Sequence, residues 1–188
     1  NVFFTSGSTI NSQNGTVSGG TSVGAERNNF IVDAGDGRVT FNANIGQTQR
    51  LGTLTIDRAQ DGVVFGGADS ATVGKNDVVT AVSTDGAIDI GSGFNTDDVI
   101  AGVGIVLNGK TSIAFQTSDD DIRFNGATWL ESDASLDTDE GAAGTPSAGK
   151  GNVFFTSGST INSQNGTVSG GTSTGNERNN FLVDAGDG

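Results

Sequence analysis

The sequence contains no histidine, cysteine, methionine or tyrosine, and it has only one proline and one tryptophan. Without histidine and cysteine, a Ser-His-Asp triad, a Cys-His dyad and the common zinc sites cannot be built. Disulfides are absent as well, so cysteine usage gives no indication of the redox compartment. No apolar run approaches the length of a membrane span and no signal peptide is recognisable, so the sequence predicts no membrane insertion.

Basic residues are also scarce. Nine Lys and Arg stand against 22 Asp and Glu, which gives a formal net charge of −13. This is the wrong sign for binding a nucleic-acid backbone or an anionic membrane, so neither is expected as a partner. The acidic balance favours solubility, salt tolerance and cation binding.

The residues that are abundant indicate β-structure. The chain has 31 Gly, and its 28 Val and Ile far outnumber its 6 Leu, a balance typical of strands. Asp-Gly and Asn-Gly dipeptides separate the apolar stretches and predict turns. Apolar residues alternate with polar ones at Phe30/Val32, Val39–Ile45, Leu54/Ile56, Ile88/Ile90, Val99–Leu107, Ile113/Phe115 and Ile122/Phe124. No helical period occurs, so the predicted class is all-β.

The dominant feature is an internal repeat. Residues 1–37 recur at 152–188, an offset of 151 residues, with three differences: Val23/Thr174, Ala25/Asn176 and Ile31/Leu182. We interpret residues 1–37 as part of one copy and 38–188 as one full period of a tandem array. Two related elements within one ordinary domain are the alternative. Long acidic copies that are nearly identical suit a spacer better than an enzyme, which needs one good site.

The repeat leads to several structural expectations. The two copies should adopt the same backbone, with Ile31 and Leu182 facing the core and the other two differences in an exposed loop. Residues 137–151, which include Pro146, are predicted to form a loop that leaves the strands. The pair Phe3-Phe4, repeated at 154–155, should place one ring in the core and the other under a loop or at a fibre contact.

Two all-β architectures compete for this pattern. A four-residue motif, here called the Phe token, consists of an aliphatic residue, any residue, Phe, and a small or polar residue. It begins at Val39, Val63, Ile113 and Ile122. A solenoid would stack such tokens in successive coils, whereas tandem Ig-like β-sandwiches usually carry more turn prolines and core Trp or Tyr. We therefore predict a parallel β-helix. Coils of about 20–25 residues would give about six to eight coils, rising roughly 30–38 Å per period.

Two stretches resemble a known family. The run NFIVDAGDGRVTFNANIGQTQRLGTLTI at 29–56 and the run DIRFNGATWLESD at 121–133, followed by GNVFFTSGSTI at 151–161, are similar to the tandem β-strand repeats of filamentous-haemagglutinin-like giant bacterial surface adhesins. Residues 66–118 match less well. The resemblance implies a right-handed parallel β-helix, an extracellular location on the bacterial cell surface, and a structural or adhesive role. It supplies no catalytic residues.

The acidic clusters are the candidate sites for chemistry. Calcium prefers six to eight oxygen ligands, which carboxylates and turn carbonyls supply. The clusters Asp119, Asp120, Asp121 and Asp137, Asp139 are therefore the candidate Ca²⁺ ligands, with solvated acidic loops as the alternative. Asn95–Asp98 and Asp119–Asp121 also resemble the paired carboxylates of β-helical polygalacturonases, but the His and the Arg-Ile-Lys element of those enzymes are missing.

Together these observations predict a non-enzymatic structural repeat of an extracellular bacterial fibre or adhesin stalk. Its partners would be neighbouring repeats of the same protein and, through self-association, other fibres, while the ligand at the far end is unspecified. A multivalent carbohydrate- or Ca²⁺-binding module is the first alternative. A β-helical polysaccharide-degrading enzyme is the second.

Overall fold

A computed structural model gives the arrangement of the chain. It describes residues 1–5, 8–12, 27–66, 79, 81–91, 104–109, 112–139, 151–156, 159–163 and 179–185. The described part is all-β and contains no helix, and therefore none that could span a membrane. The strands are β1 (Val2–Phe4), β2 (Phe30–Asp33), β3 (Val39–Phe41), β4 (Leu54–Arg58), β5 (Val63–Phe65), β6 (Ala81–Ser83), β7 (Ile88–Ile90), β8 (Ile105–Leu107), β9 (Ser112–Gln116), β10 (Ile122–Phe124), β11 (Thr128–Leu130), β12 (Asp133–Asp137), β13 (Val153–Phe155), β14 (Ile161–Ser163) and β15 (Phe181–Asp184).

The strands form three parallel sheets that run along the axis of one solenoid. Sheet 1 has the order β1-β3-β5-β8-β11-β14, sheet 2 the order β13-β10-β7-β4-β2, and sheet 3 the order β15-β12-β9-β6. Ile10 and Ile45 continue sheet 3 through isolated parallel bridges to Val82. The chain visits the sheets in the fixed sequence 2, 1, 3, so each round is one coil of a parallel β-helix, as predicted. Every named strand pair in the described residues is parallel, which contradicts the alternative of Ig-like sandwiches.

The coils are longer than the sequence suggests. On sheet 2, consecutive strands begin at residues 30, 54, 88, 122 and 153, so a coil takes 24 to 34 residues. The expectation of 20–25 residues per coil is therefore wrong for all but one of these intervals. The expectation of about six to eight coils, rising roughly 30–38 Å per period, is wrong with it, because fewer and longer coils cover the same 151 residues. The reason is that several corners carry long insertions between short strands, and strand alternation does not report the length of an insertion.

The core consists of the inward-facing residues of all three sheets. Ile and Leu fill it together with a continuous series of phenylalanine rings, whose centroids lie 5.0–5.9 Å apart. The series runs Phe30, Phe4, Phe41, Phe65, Phe115, Phe124, Phe155 and Phe181. Four of its members are the phenylalanines of the repeated token, and all four are fully buried. The token therefore marks core positions, as its spacing indicated.

Glycine allows neighbouring coils to approach each other closely at three corners. At Gly66, which has φ +81°, a Cβ atom would lie 1.6 Å from the carbonyl oxygen of Asn108 in the next coil. Gly46 and Gly104 also have positive φ and meet the carbonyl oxygens of Ser83 and Ala127 in the same way. A side chain at any of these positions would force two coils apart.

Four strands have no counterpart among the segments predicted from the sequence: β6, β11, β12 and β14. β6 and β12 are rich in Ala, Ser or Asp, residues with weak strand preference, and β11 and β14 show no alternation of apolar and polar residues. All four are held in place by parallel neighbours. The ends of the predicted loop at 137–151 belong to the coil itself. Asp137 is the last residue of β12, and Gly151 is buried. Residues 140–150, including Pro146, lie outside the described residues.

Candidate functional surface

The predicted acidic residues lie at one corner of the coil, between sheets 3 and 2. Ser118 and Asp139 form an antiparallel bridge there, and the backbone N–H of Asp119 donates to the carbonyl of Thr138 at 3.0 Å. Asp119 has a left-handed backbone, with φ +67°. This geometry brings the turn at 118–121 against the end of β12, so the two predicted acidic clusters do meet in space.

Hydrogen bonds hold the carboxylates of this corner in different places. Asp121 accepts from the backbone N–H and the side-chain amide of Asn152 at 2.9 and 3.0 Å, so it is turned toward the next coil. Asp120 accepts from the backbone N–H of Asp121 at 2.9 Å. Asp137 accepts from the backbone N–H of Asp139 at 3.2 Å. These hydrogen bonds pair the carboxylates with nearby backbone N–H groups and with the Asn152 amide, and they do not direct the carboxylates to a common point.

The charges at this corner affect Asp139 most strongly. A hydrogen bond with the Asp137 side chain raises the pKa of Asp139 above its ordinary value, and partial loss of hydration adds to this shift. The negative charges of Asp137, Asp184 and Asp119 act in the same direction. Within the described residues, no three acidic side chains come close enough to hold a metal ion. The calcium site therefore stays a prediction.

A second row of side chains, one acidic, one basic and one aromatic, was not recognised in the sequence. On the outer face of sheet 2, Asp89, Arg123 and Phe154 occupy the same register of β7, β10 and β13. Arg123 Nη1 lies 3.8 Å from Asp89 Oδ2, and its guanidinium carbon is 4.9 Å from the centroid of the Phe154 ring. The Arg123 and Asp89 side chains are largely buried, at 16% and 11% exposure. Only the stacking of coils brings these distant residues together, so no local sequence signal could have revealed the row.

Each copy of the repeat also exposes apolar side chains on its outer surface. Phe3 is 56% exposed and Ile31 65% exposed, while their counterparts Phe154 and Leu182 are 39% and 64% exposed. The expectation that Ile31 and Leu182 face the core is therefore wrong. They lie between inward-facing residues of short strands, and strand alternation turns the middle position outward. The other two differences between the copies, at 23/174 and 25/176, lie outside the described residues.

The polygalacturonase-like pairing cannot be assembled from the described residues, because Asn95–Asp98 lies outside them. Comparison with known proteins adds no assignment: no protein-family model, no curated protein sequence and no solved structure matches this chain. The candidate functional features are therefore the acidic corner, the Asp89–Arg123–Phe154 row, and the repeat itself with its exposed apolar residues.

Proposed function

We propose that this chain is a structural repeat of an extracellular bacterial fibre or adhesin stalk, and that it acts as a spacer between a cell surface and a distal binding region. The observation that carries the proposal is the near-exact repeat within a stack of parallel coils. The strands and bridge of the first copy, at 2–4, 10 and 30–33, form the first coil of the stack, and their copies form the last coil. A solenoid that ends in the sequence with which it begins can be extended by further copies without a new kind of interface.

The acidic charge supports the same proposal. One period, residues 38–188, carries 19 acidic and 8 basic residues, so each added copy contributes about −11. Charge of one sign distributed along a fibre keeps it extended and soluble and opposes non-specific aggregation. The bacterial surface location and the adhesin kinship rest on the resemblance of 29–56 and 121–133, and they are part of the proposal.

The proposal is tested by the length of tandem arrays. Recombinant chains of one, two, three and four periods should elongate in equal steps, measured by small-angle X-ray scattering and by electron microscopy. Fourteen strand positions separate β1 from β13 when the bridges at Ile10 and Ile45 are included, which is four and two-thirds turns per period. At about 4.8 Å per coil, each period adds about 22 Å. Arrays that remain compact, or domains that behave as independent beads, would contradict the spacer.

Two further measurements address the location and the alternatives. Antibodies against the chain should label intact cells of the bacterium that produces it, without permeabilisation. A glycan array probed with one-period and four-period chains tests the carbohydrate-binding module, which predicts binding that increases steeply with copy number. Release of reducing sugar from polysaccharides would favour the enzyme instead.

A further inference from the structure

The two copies of the repeat do not occupy the same faces of the coil. The first strand of the first copy, β1, belongs to sheet 1 and pairs with β3, whereas its copy β13 belongs to sheet 2 and pairs with β10. Ile10 lies on sheet 3, but Ile161 begins β14 of sheet 1. The copies have therefore moved around the coil by one face.

The third strand of each copy shows the same displacement. The strand β2 pairs with β4 in sheet 2, and its copy β15 pairs with β12 in sheet 3. All three strand positions of the copy are thus displaced in the same sense. This agrees with the count of fourteen strand positions per period. Fourteen is two more than a multiple of three, and on a three-sided coil a step of two faces along the chain is the same as a step of one face in the opposite direction.

The contacts inside each copy are preserved despite the change of face. The ring pair formed by the second Phe and the first residue of the third strand is edge-to-face in both copies, with centroids 5.6 and 5.9 Å apart. The backbone N–H that bonds back to a Thr carbonyl is at 2.9 Å in both. The bond from an Asn backbone N–H to a Ser hydroxyl is 2.6 Å in one and 2.9 Å in the other. These equivalent pairs are Phe4–Phe30 and Phe155–Phe181, Ser8–Thr5 and Ser159–Thr156, and Asn28–Ser12 and Asn179–Ser163.

The structure also contains the contact by which one copy follows another. The coil formed by β10, β11 and β12 stacks directly on the second copy, with backbone bonds of 2.9, 2.7 and 2.9 Å from Ile122, Thr128 and Ala134 to Asn152, Thr160 and Asn180. The counterparts of these acceptors in the first copy are Asn1, Thr9 and Asn29. A preceding period would therefore meet the first copy through the same set of bonds, displaced by one face.

From these observations we propose that consecutive periods of a tandem array are related by a screw operation, with one-third of a turn of net rotation and about 22 Å of rise per period. This inference rests on the proposed function and specifies how the fibre displays its surface. The exposed side chains Phe3, on sheet 1, and Ile31, on sheet 2, would each recur on all three faces in turn. Each side chain returns to its original face after three periods, which make fourteen whole turns and a rise of about 67 Å. A ligand or a second fibre approaching from any side would meet the same surface.

Engineered disulfides in this chain test the placement of the copies. Residues in register on adjacent parallel strands have Cα atoms about 4.8 Å apart, within the range that a disulfide bridges. The double variant R123C/F154C should form a crosslink under mild oxidation, because Arg123 and Phe154 are directly paired. The double variant W129C/F154C should not, since Trp129 pairs with Asn162. If the second copy kept the faces of the first, Phe154 would lie beside Trp129 and the two results would be exchanged.

A second pair of variants gives an independent reading from the third strand. Ser135 is paired with Leu182, so S135C/L182C should crosslink. In contrast, R123C/L182C should stay reduced, because it would join β10 and β15 only if the copy kept its face. The far-UV circular dichroism of each variant is compared with that of the parent chain to establish that it is folded. Crosslinking of the control pairs in place of the expected pairs would overturn the screw relation.

The array itself is tested by cryo-electron microscopy of a four-period chain. The expected image has a rotation of about 120° between consecutive periods, with the first and fourth periods in the same orientation. Periods that superimpose by translation alone would refute the proposal, although the array could still elongate and the spacer function would stand. Conversely, arrays that fail to elongate would remove the proposed function whatever the disulfide results are.

Discussion

The corner at Gly66 offers the sharpest test of how the coils stack. Its φ of +81° is unfavourable for any residue with a Cβ atom, and that atom would lie 1.6 Å from the backbone oxygen of Asn108. Relief of this overlap requires a movement of more than an ångström between coils. The same movement would strain two backbone bonds between coils, from Gly66 to Phe41 and from Asn108 to Phe65, at 2.7 and 2.8 Å.

The expected cost of Gly66→Ala follows from these contributions. The left-handed backbone costs about 1–2 kcal/mol for alanine, and overpacking in a close contact adds about 1–3 kcal/mol. Weakening of the two bonds adds up to about 1 kcal/mol each. We therefore expect a loss of about 2–7 kcal/mol in the free energy of unfolding, measured by urea titration followed through Trp129 fluorescence and circular dichroism.

Gly35→Ala is the matched control. Gly35 also has a positive φ, of +55°, but no atom lies within 4 Å of the position that a Cβ atom would take there. This variant should lose only the backbone contribution, about 1–2 kcal/mol. If Gly66→Ala is no more destabilising than Gly35→Ala, the coil that contains Asn108 does not stack on the coil of Gly66 as described, and the reasoning fails.

Three further predictions address the core and the charges. Phe65→Ala removes a fully buried ring from the middle of the aromatic series and should cost about 3–5 kcal/mol in urea unfolding, whereas Phe3→Ala, at an exposed ring, should cost less than about 1 kcal/mol. Because the folded pKa of Asp139 is raised, its ionisation opposes folding: the penalty is absent well below the ordinary Asp pKa of 3.8 and grows as the pH rises through the folded value. Asp139→Asn should therefore raise the melting temperature at neutral pH and not at pH 3, and an equal gain at both would contradict the assigned charge repulsion. With a net charge of −13, added salt should raise the melting temperature by screening over a Debye length of about 10 Å at 0.1 M. A specific calcium site at the acidic corner predicts a further rise with Ca²⁺ beyond that with Mg²⁺ at equal ionic strength, which is lost on changing the corner aspartates to Asn; equal responses to the two ions would leave screening alone.

Much of the local structure could be predicted from the sequence. Alternation within β3, β4, β7, β9 and β10 identified those strands, because a side-chain period of two is a property of the strand and needs no partner. The repeated Phe token identified four core rings for the same reason. The acidic clusters were found from composition, and their meeting at one corner came from the turn that follows β9 and the end of β12.

The failures of sequence reasoning have two physical causes, the alternation of side chains within a strand and the stacking of distant coils. Ile31 and Leu182 are as apolar as core residues, but each stands in the middle of a short strand whose neighbours already face inward. Composition therefore indicated burial while the strand geometry turned them outward. β12 has little intrinsic strand preference and β11 lacks an apolar–polar alternation, and both form because each has a parallel partner on both sides. The Asp89–Arg123–Phe154 row likewise exists only because three coils are in register.

The repeat shows most clearly which properties follow from the local sequence and which follow from the tertiary structure. The sequence by itself indicated that residues 2–4 and 153–155 are strands with their two Phe rings on opposite faces, one of them in the core, because this depends on alternation within a few residues. The structure turns Phe4 and Phe155 toward the core and leaves Phe3 and Phe154 exposed. Only the tertiary structure decided that one strand lies on sheet 1 and the other on sheet 2. The face that a strand occupies depends on how many strand positions the preceding coils contain. That number is set by how the whole length of chain winds, and nearly identical segments therefore occupy different sides of the same coil.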